Sequence, residues 1–325
     1  MSLKATLAAR RSDVPMRAIR QQFGATMVEL AAECDGLVAL TADLMYPTGM
    51  AEFAQRYPDR FFNVGIAEQN MTGIAAGLAS CGKLPVVCGY AAFTTLRAVE
   101  QAKVDCAYNN VRVLLVGQSA GLSYGVGGPS HQTFEDVAIM RAIPNMTVVV
   151  PSDAVEVDQA LRSAVRYPGT APIYLRLGRG PEYVFNDPES PFEIGRARRL
   201  RRGDDLCIIA NGPMVFEALL ASDSLATEGI QTEVLTMHTV KPIDTDAVRD
   251  AAARVRGMLV VEEHNVLGGL GAAVLEVLED GHAFPVRRIG IADQYPPVGP
   301  VSELRVALGL SAENIVAQAH AILRR

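Results

Sequence analysis

Glu68 has a side chain whose type and position could serve a ligand. It follows the apolar run 61–64, which is typical of a short buried strand, and the turn at Gly65. A carboxylate at the beginning of a helix can accept hydrogen bonds from a bound molecule, although the helix dipole also favours a purely structural glutamate there. The helix that follows has almost no side-chain bulk, which indicates that something packs close to its backbone.

Two ring side chains occupy comparable positions further along the chain. Phe93 follows the apolar run 85–90, and His131 ends the glycine-rich loop 117–130. A phenyl ring offers a flat face for stacking. A histidine can donate to a substrate oxygen or move protons near neutral pH. Instead of contacting a ligand, Phe93 could be a core aromatic residue at a strand–helix junction, and His131 could cap a helix.

Arg176 and Arg179 lie at the end of the apolar run 173–177, and Asp43 lies at the end of the run 37–41. Guanidinium groups bind phosphate or sulfonate in a fork geometry. The two arginines therefore either hold an anionic substrate or are solvated at a domain boundary, and the sequence favours neither interpretation. Asp43 is either a ligand-binding or an ordinary turn-forming aspartate.

Apolar runs alternate with helical patterns through the first half of the chain. Such near-continuous apolar strands indicate a parallel sheet that is covered on both faces, and ligands gather at the carboxyl ends of its strands. The predicted strands are 37–41, 61–64, 85–90, 111–116, 146–150 and 173–177.

A domain boundary is predicted within 178–191, which lacks periodicity and contains several Pro, Gly and Asp residues. Beyond it, strands near 205–210, 232–237, 257–262 and 285–291 alternate with helices. We therefore expect an α/β fold with two doubly wound sheets in tandem, in domains 1–190 and 191–325. The basic run 196–202 is expected to be a solvated linker or interface, and residues 1–15 an irregular arm.

Composition narrows the functional class. The chain of 325 residues is 49% apolar and 20% charged, and its net charge of -6 with mixed signs does not suggest a nucleic-acid partner. No apolar run approaches the roughly 20 residues of a membrane span. The five cysteines form no framework, and the N-terminus has no apolar signal core, so we expect a cytoplasmic protein.

Two segments resemble the transketolase family of thiamine-diphosphate enzymes: GIAEQNMTGIAAGLA, which contains Glu68, and GLSYGVGGPSHQ, which ends beside His131. The resemblance implies a pyrimidine-binding domain over 1–190, in which Glu68 hydrogen-bonds the cofactor's aminopyrimidine, favours its imino tautomer and so promotes ylid formation. It also implies that Phe93 stacks on that ring, that Asp43 lies near the cofactor, and that His131 faces the sugar. Substrate-anion contacts are implied for Arg176, Arg179, Arg17 and Thr48.

The segments VVEEHNVLGGLGAAVLEVL and DQYPPVGPVSELRVALGL resemble the transketolase C-terminal domain, which is structural in that family, so the resemblance implies that domain over 191–325. The chain departs from the family in two places. Gly127 stands where transketolases have an aspartate that contacts a sugar hydroxyl, and the loop has no match to their phosphate-contacting histidine. The Gly-Asp-Gly motif that holds Mg²⁺ and the diphosphate is absent too, so no metal ligand is predicted in this chain. The donor and acceptor sugars are therefore left open, and the Gly127 departure suggests a branched or modified ketose.

The resemblance therefore implies one subunit of a split transketolase. A separate N-terminal-section subunit would supply the diphosphate and Mg²⁺ site, and a two-plus-two heterotetramer is expected. The implied reaction transfers a two-carbon ketol unit from a ketose, expected to be phosphorylated, to an aldose. The alternatives are the beta subunit of a 2-oxoacid dehydrogenase, an enzyme like 1-deoxyxylulose-phosphate synthase, and a catalytically silent partner subunit.

Overall fold

A computed structural model describes residues 11–324 of the chain, so most of the predicted N-terminal arm lies outside the described residues. The described part is an α/β structure with one seven-stranded sheet, one five-stranded sheet and one two-stranded ribbon. The prediction of two tandem α/β sheets is confirmed.

The first half of the chain supplies eight strands. Six of them are short apolar runs, and four of these are buried at every position, as expected of parallel strands that are covered on both faces. In chain order the eight strands are β1 (Met16–Ala18), β2 (Leu37–Thr41), β3 (Phe61–Asn63), β4 (Leu84–Tyr90), β5 (Leu114–Gln118), β6 (Thr147–Val149), β7 (Ile173–Arg176) and β8 (Pro181–Tyr183).

Helices connect these strands and cover both faces of the sheet. The segment between β4 and β5 is unusual, because two π-helical stretches, Ala92–Arg97 and Ala102–Tyr108, flank one α-helical turn, Val99–Gln101. A 3₁₀ segment, Gly125–Ser130, lies in the glycine-rich loop. The regular helices of this half are α1 (Ile19–Glu33), α2 (Ala51–Arg56), α3 (Glu68–Ser80), α4 (Asp136–Ala142) and α5 (Ala154–Arg166).

Strands and helices also alternate in the second half of the chain. Its strands are β9 (Arg198–Arg201), β10 (Leu206–Ala210), β11 (Thr232–Thr236), β12 (Thr239–Lys241), β13 (Met258–Asn265) and β14 (Val286–Ile291). Its helices are α6 (Met214–Ala226), α7 (Thr245–Ala252), α8 (Leu270–Val277), α9 (Val301–Ala307) and α10 (Ala312–Leu323). The four strands predicted here from the sequence correspond to β10, β11, β13 and β14.

The strand order of the large sheet is β12-β6-β7-β5-β4-β2-β3, and all its pairs are parallel except β12 with β6. The second half therefore contributes β12 to the sheet of the first half, which the sequence analysis did not anticipate. The smaller sheet has the order β14-β13-β10-β11-β9. Its edge strand β9 lies within the basic run 196–202, so the prediction of a linker there was wrong. Arg199 on β9 pairs with the buried Glu233, which explains why a basic segment is held in a sheet.

The segment Val301–Leu323 is long and apolar enough, with a mean hydropathy of 1.3, to resemble a membrane-spanning helix. No membrane-spanning helix was predicted there from the sequence. In the structure it forms two helices, α9 and α10, which are separated by a turn where Gly309 has a φ of +74°. Leu304, Ile315 and Ile322 pack into the apolar core against the smaller sheet, which is the usual reason for such hydropathy in a core helix.

Candidate functional site

Glu68 is the first residue of α3, and its side chain is 2% exposed. The chain leaves β3 through Gly65, whose φ of +74° is accessible to glycine without strain, and the amide of Ala67 donates to the Gly65 carbonyl at 2.8 Å. This tight turn fixes where the carboxylate lies. The sequence predicts that something packs close to the backbone of α3. At Gly77 this chain does not supply that packing, because a Cβ atom there would meet no described atom within 4 Å.

The buried carboxylate of Glu68 has one charged partner among the described residues, Arg97. Arg97 Nη1 lies 2.8 Å from Glu68 Oε2, and the Arg97 guanidinium carbon lies 4.4 Å from the centroid of the Phe93 ring. Phe93 and Arg97 both belong to the first π-helical stretch, a geometry that is frequent at functional sites. Glu68 and Phe93 thus converge on one planar cation, so these two side chains could hold a flat, nitrogen-containing ring.

His131 lies in an aromatic cluster beside Phe93. Its ring centroid is 5.2 Å from that of Tyr124, 5.5 Å from that of Phe93 and 6.0 Å from that of Tyr90, all in edge-to-face contact. The His131 Nδ1 atom lies 2.9 Å from the Ser130 hydroxyl. The structure therefore brings His131 and Phe93 together.

Tyr90 and Tyr124 belong to this cluster as well, although the sequence did not predict them as site residues. The available signal was an aromatic residue at the end of a predicted strand and another inside a glycine-rich loop. Burial raises the pKa of the Tyr90 phenol above its usual value, although the charges of Arg179 and Arg20 oppose the shift. A cation lies close to both rings, since the Arg179 guanidinium carbon is 5.9 Å from the centroid of Tyr90 and 3.9 Å from that of Tyr124.

Arg179 lies against this cluster. Its guanidinium carbon is 3.9 Å from the centroid of Tyr124, and its Nη1 atom is buried with no hydrogen-bond partner among residues 11–324. A cavity of about 530 Å³ opens beside it and is lined by Arg20, Tyr124 and Val301, among others. An arginine that keeps an unused donor beside a cavity is suited to binding an anion.

Arg176 has internal partners that neither sequence-based alternative anticipated. It is 5% exposed, and its Nε donates to Asp136 at 2.8 Å. Its Nη2 donates to the carbonyls of Thr133 and Glu263. The alternative of a solvated arginine was therefore wrong. The internal partners also disfavour a contact with substrate, because a buried ion pair is strongly coupled to its surroundings.

Of the other sequence-predicted residues, Asp43 and Thr48 follow β2 of the large sheet, whereas Arg17 lies on β1 of the two-stranded ribbon. Asp43 is exposed beyond β2 with a φ of +60°, and its backbone amide donates to Asn63 Oδ1 at 3.0 Å. Strained positive-φ residues of this kind cluster at functional sites. Arg17 on β1 is exposed and donates to Gln22. Thr48 is buried, and its hydroxyl donates to the Leu44 carbonyl at 2.7 Å, so that donor is already used.

Among residues 11–324, no group of three or more His, Cys, Asp or Glu side chains is arranged to hold a metal ion. The five cysteines are free thiols. The arrangement as a whole is an acid, a stacking ring, a histidine and an arginine with an unused donor at the carboxyl edge of a parallel sheet.

A buried network of ion pairs connects the second half of the chain to the loop at the carboxyl edge of the large sheet. Arg305 on α9 lies 2.7 Å from Glu182 on β8 and 2.5 Å from Glu263 on β13. Glu263 Oε1 in turn accepts a hydrogen bond from the amide of Leu122, in the loop that carries Tyr124. The smaller sheet therefore holds the glycine-rich loop in place.

Comparisons with known proteins agree with this architecture. Residues 16–181 match the transketolase pyrimidine-binding domain, and residues 195–315 match the transketolase C-terminal domain. The chain is similar to the 6-deoxy-6-sulfo-D-fructose transketolase subunit SqwH of Clostridium sp. (strain MSTE9), with 39% identity over 94% of this chain and 95% of that protein.

It is also 41% identical to a subunit of the apulose-4-phosphate transketolase of Phocaeicola vulgatus, over 92% of this chain and 96% of that protein. A solved structure described as a split gene transketolase, inactive beta4 tetramer, superposes with a TM-score of 0.85 at 38% identity. That match covers 94% of this chain and 98% of the solved one.

The fold and the matched regions define a two-domain chain in which a pyrimidine-binding domain precedes a C-terminal domain. The chain belongs to the transketolase family. In length and coverage it corresponds to one subunit of a split transketolase.

Proposed function

We propose that this chain is the C-terminal-section subunit of a split transketolase that transfers a two-carbon ketol unit from a ketose to an aldose. The observation that carries the proposal is the convergence of Glu68 and Phe93 on a single planar cation, the Arg97 guanidinium. A carboxylate and a stacking ring in this arrangement fit the aminopyrimidine of thiamine diphosphate. When bound, that cofactor supplies the carbanion chemistry, and the protein supplies position and proton transfer.

The chain's own residues then have separate tasks. Glu68 would share a proton with the ring nitrogen of the pyrimidine, Phe93 would support the ring, and Asp43 would lie near the cofactor. His131 contacts the sugar and polarises its oxygen. Arg179 holds the anionic end of the substrate, and Arg17 is proposed to assist it. Thr48 supports the same region through its backbone, since its carbonyl accepts from Gln118 at 3.0 Å.

The substrate is proposed to carry a phosphate or sulfonate. The unused Arg179 donor supports this, and the two relatives described above are named for a sulfonated sugar and a phosphorylated one. Gly127 places no carboxylate beside His131, which supports a ketose that differs from the ordinary sugar phosphates. Efficient turnover of ordinary pentose phosphates by the assembled enzyme would contradict that part of the proposal.

The Mg²⁺ ion and the diphosphate are proposed to be held mainly by an N-terminal-section partner subunit, since residues 11–324 contain no candidate metal cluster. The surface around α3 supports a partner on this face. Ile66, Ile74, Leu96 and Val104 are exposed apolar residues there. We propose a two-plus-two heterotetramer in the cytoplasm, with domains over 1–190 and 191–325.

The decisive experiment is a calorimetric titration with thiamine diphosphate and Mg²⁺. The chain alone is expected not to bind, and the chain with an N-terminal-section subunit is expected to bind tightly and to transfer ketol units. Glu68→Gln should lower kcat by about 10²–10⁴-fold in the assembled enzyme. Glu52→Gln, a change in an exposed ion pair on α2, is the matched control.

Tight binding by the chain alone would mean that the diphosphate site lies within it. No binding in either arrangement would reject the catalytic role and favour a silent partner subunit, in which case Glu68→Gln would change nothing.

A further inference from the structure

The guanidinium of Arg97 lies between the two side chains that are proposed to hold the pyrimidine. It forms an ion pair with Glu68 at 2.8 Å and lies 4.4 Å above the ring of Phe93. The two partners differ in exposure, because the Glu68 side chain is 2% exposed whereas that of Arg97 is 47% exposed. Arg97 thus covers a buried carboxylate from the solvent side.

A guanidinium group shares three properties with a protonated aminopyrimidine. It is planar, it presents N–H donors in that plane, and it stacks on aromatic faces. Only one planar group can stack on this face of Phe93 while it donates to the same oxygen of Glu68. The Arg97 guanidinium and the pyrimidine therefore compete for one position.

The side chain of Arg97 is free to leave that position. Within residues 11–324, its guanidinium makes no hydrogen bond or ion pair other than the one to Glu68. Since half of the side chain already faces solvent, an outward rotation gives up little besides the contacts with Glu68 and Phe93. Leaving Glu68 buried and without a partner is unfavourable, however, so the arginine returns whenever the ring is absent.

We propose that Arg97 is a further residue of the pyrimidine-binding site, which occupies the ring's position in the cofactor-free subunit and is displaced when the cofactor binds. This inference rests on the proposed function of Glu68 and Phe93. The fraction of subunits with an open site then sets the apparent affinity, since the dissociation constant rises as that fraction falls.

The first test measures the apparent dissociation constant of thiamine diphosphate for the assembled enzyme at saturating Mg²⁺, by calorimetry. Arg97→Ala and Arg97→Gln should both tighten binding, by roughly three- to tenfold, because the competing cation is gone. Arg56→Ala is the matched control, since Arg56 forms a 2.7 Å ion pair with Glu52 on an exposed helix surface. It should leave the dissociation constant unchanged.

The second test uses the subunit alone, where no diphosphate site contributes. The probe is 4-amino-5-hydroxymethyl-2-methylpyrimidine, followed through the shift that it causes in the thermal unfolding midpoint. Arg97→Gln should gain a measurable shift at probe concentrations that leave the wild type unchanged. The unfolding midpoint of each variant without probe shows whether it is folded.

Weaker or unchanged cofactor binding in both Arg97 variants, with the wild type binding normally, would overturn this inference alone. Weaker binding would assign Arg97 to the support of Glu68 in the loaded site. A wild-type assembly that binds no thiamine diphosphate would overturn the proposed function and this inference together.

Discussion

Gly127 lies so close to His131 that a Cβ atom on the glycine would be 2.9 Å from the Cβ of the histidine and 3.2 Å from Tyr124 Cδ1. Real Cβ atoms do not approach other atoms this closely, so the residue at 127 and the placement of the His131 ring are coupled. Tyr124 and His131 fill the space in which a side chain at 127 would project.

Gly127→Ala is therefore expected to displace the His131 ring. A displacement of about 1 Å at a reacting group can lower the rate by about 10²-fold, so we expect kcat/KM of the assembled enzyme to fall by roughly 10–100-fold. The loop is partly exposed, so the unfolding midpoint of the subunit should change little. Gly36→Ala, where the nearest atom is 3.8 Å away, is the control. A fully active Gly127→Ala enzyme would show that catalysis does not depend on the contact between residue 127 and the His131 ring.

Arg176 and Arg179 should behave as opposites, although they are close neighbours in the chain. Arg179→Ala should raise the KM for an anionic substrate by roughly tenfold or more, because a charge-assisted hydrogen bond is worth about 1.5–3 kcal/mol, while the free energy of unfolding stays near that of the wild type. Arg176→Ala should instead lower the free energy of unfolding by about 3–5 kcal/mol, since it leaves Asp136 buried without its cation.

Steady-state kinetics of the assembled enzyme and urea unfolding of the subunit separate these two effects. A kinetic defect in Arg176→Ala without loss of stability would return that residue to the substrate site.

Arg305→Met should destabilise the subunit, because Glu182 and Glu263 both lose their partner. Breaking a buried ion pair from one side costs about 3–5 kcal/mol, which urea unfolding can resolve. Arg305→Lys keeps the charge and should recover part of the loss. Burial raises the pKa of Glu182 above its usual range against the opposing effect of Arg305, so removing the arginine should raise that pKa further. Equal stability of wild type and Arg305→Met would show that the network is not needed to join the two-stranded ribbon to the smaller sheet.

His238 should make stability depend on pH. Burial, with a further contribution from Arg198, lowers the pKa of this histidine to about 3 in the folded chain, whereas an unfolded histidine titrates near 6.5. The unfolded state therefore binds the proton first. The stabilising contribution is present above about pH 6.5 and is lost as the pH falls toward 3.

Between pH 6.5 and 5 the wild type should lose about 2 kcal/mol of unfolding free energy through this residue. The glutamine of His238→Gln cannot titrate. Over the same pH range, the unfolding free energy of this variant should fall by about 2 kcal/mol less than that of the wild type, as measured by urea unfolding at several pH values. Parallel pH profiles for the two proteins would contradict the assignment.

Local pattern was sufficient for much of the fold. The apolar runs identified every strand of the large sheet except β12, because a strand that is covered on both faces must be apolar along its length. The edge strands β9 and β12 were not predicted from the sequence. An edge strand pairs with a neighbour on one side only, so it can contain polar residues and lacks a continuous apolar run. Their places depend on β11 and β6, which lie elsewhere in the chain.

The sequence by itself determined the α/β class, the repeated strand–helix order, the placement of Glu68 and Phe93 shortly after strands, and that of His131 at the end of the glycine-rich loop. These features follow from the periodicity of neighbouring residues and from the shared direction of parallel strands. The tertiary structure alone decided that Arg176 is buried against Asp136 while Arg179 keeps a free donor, and that Arg97 lies on Glu68. Such pairings join residues that are 29 to 40 positions apart in sequence, and a local pattern contains no information on which distant partner a charge will meet.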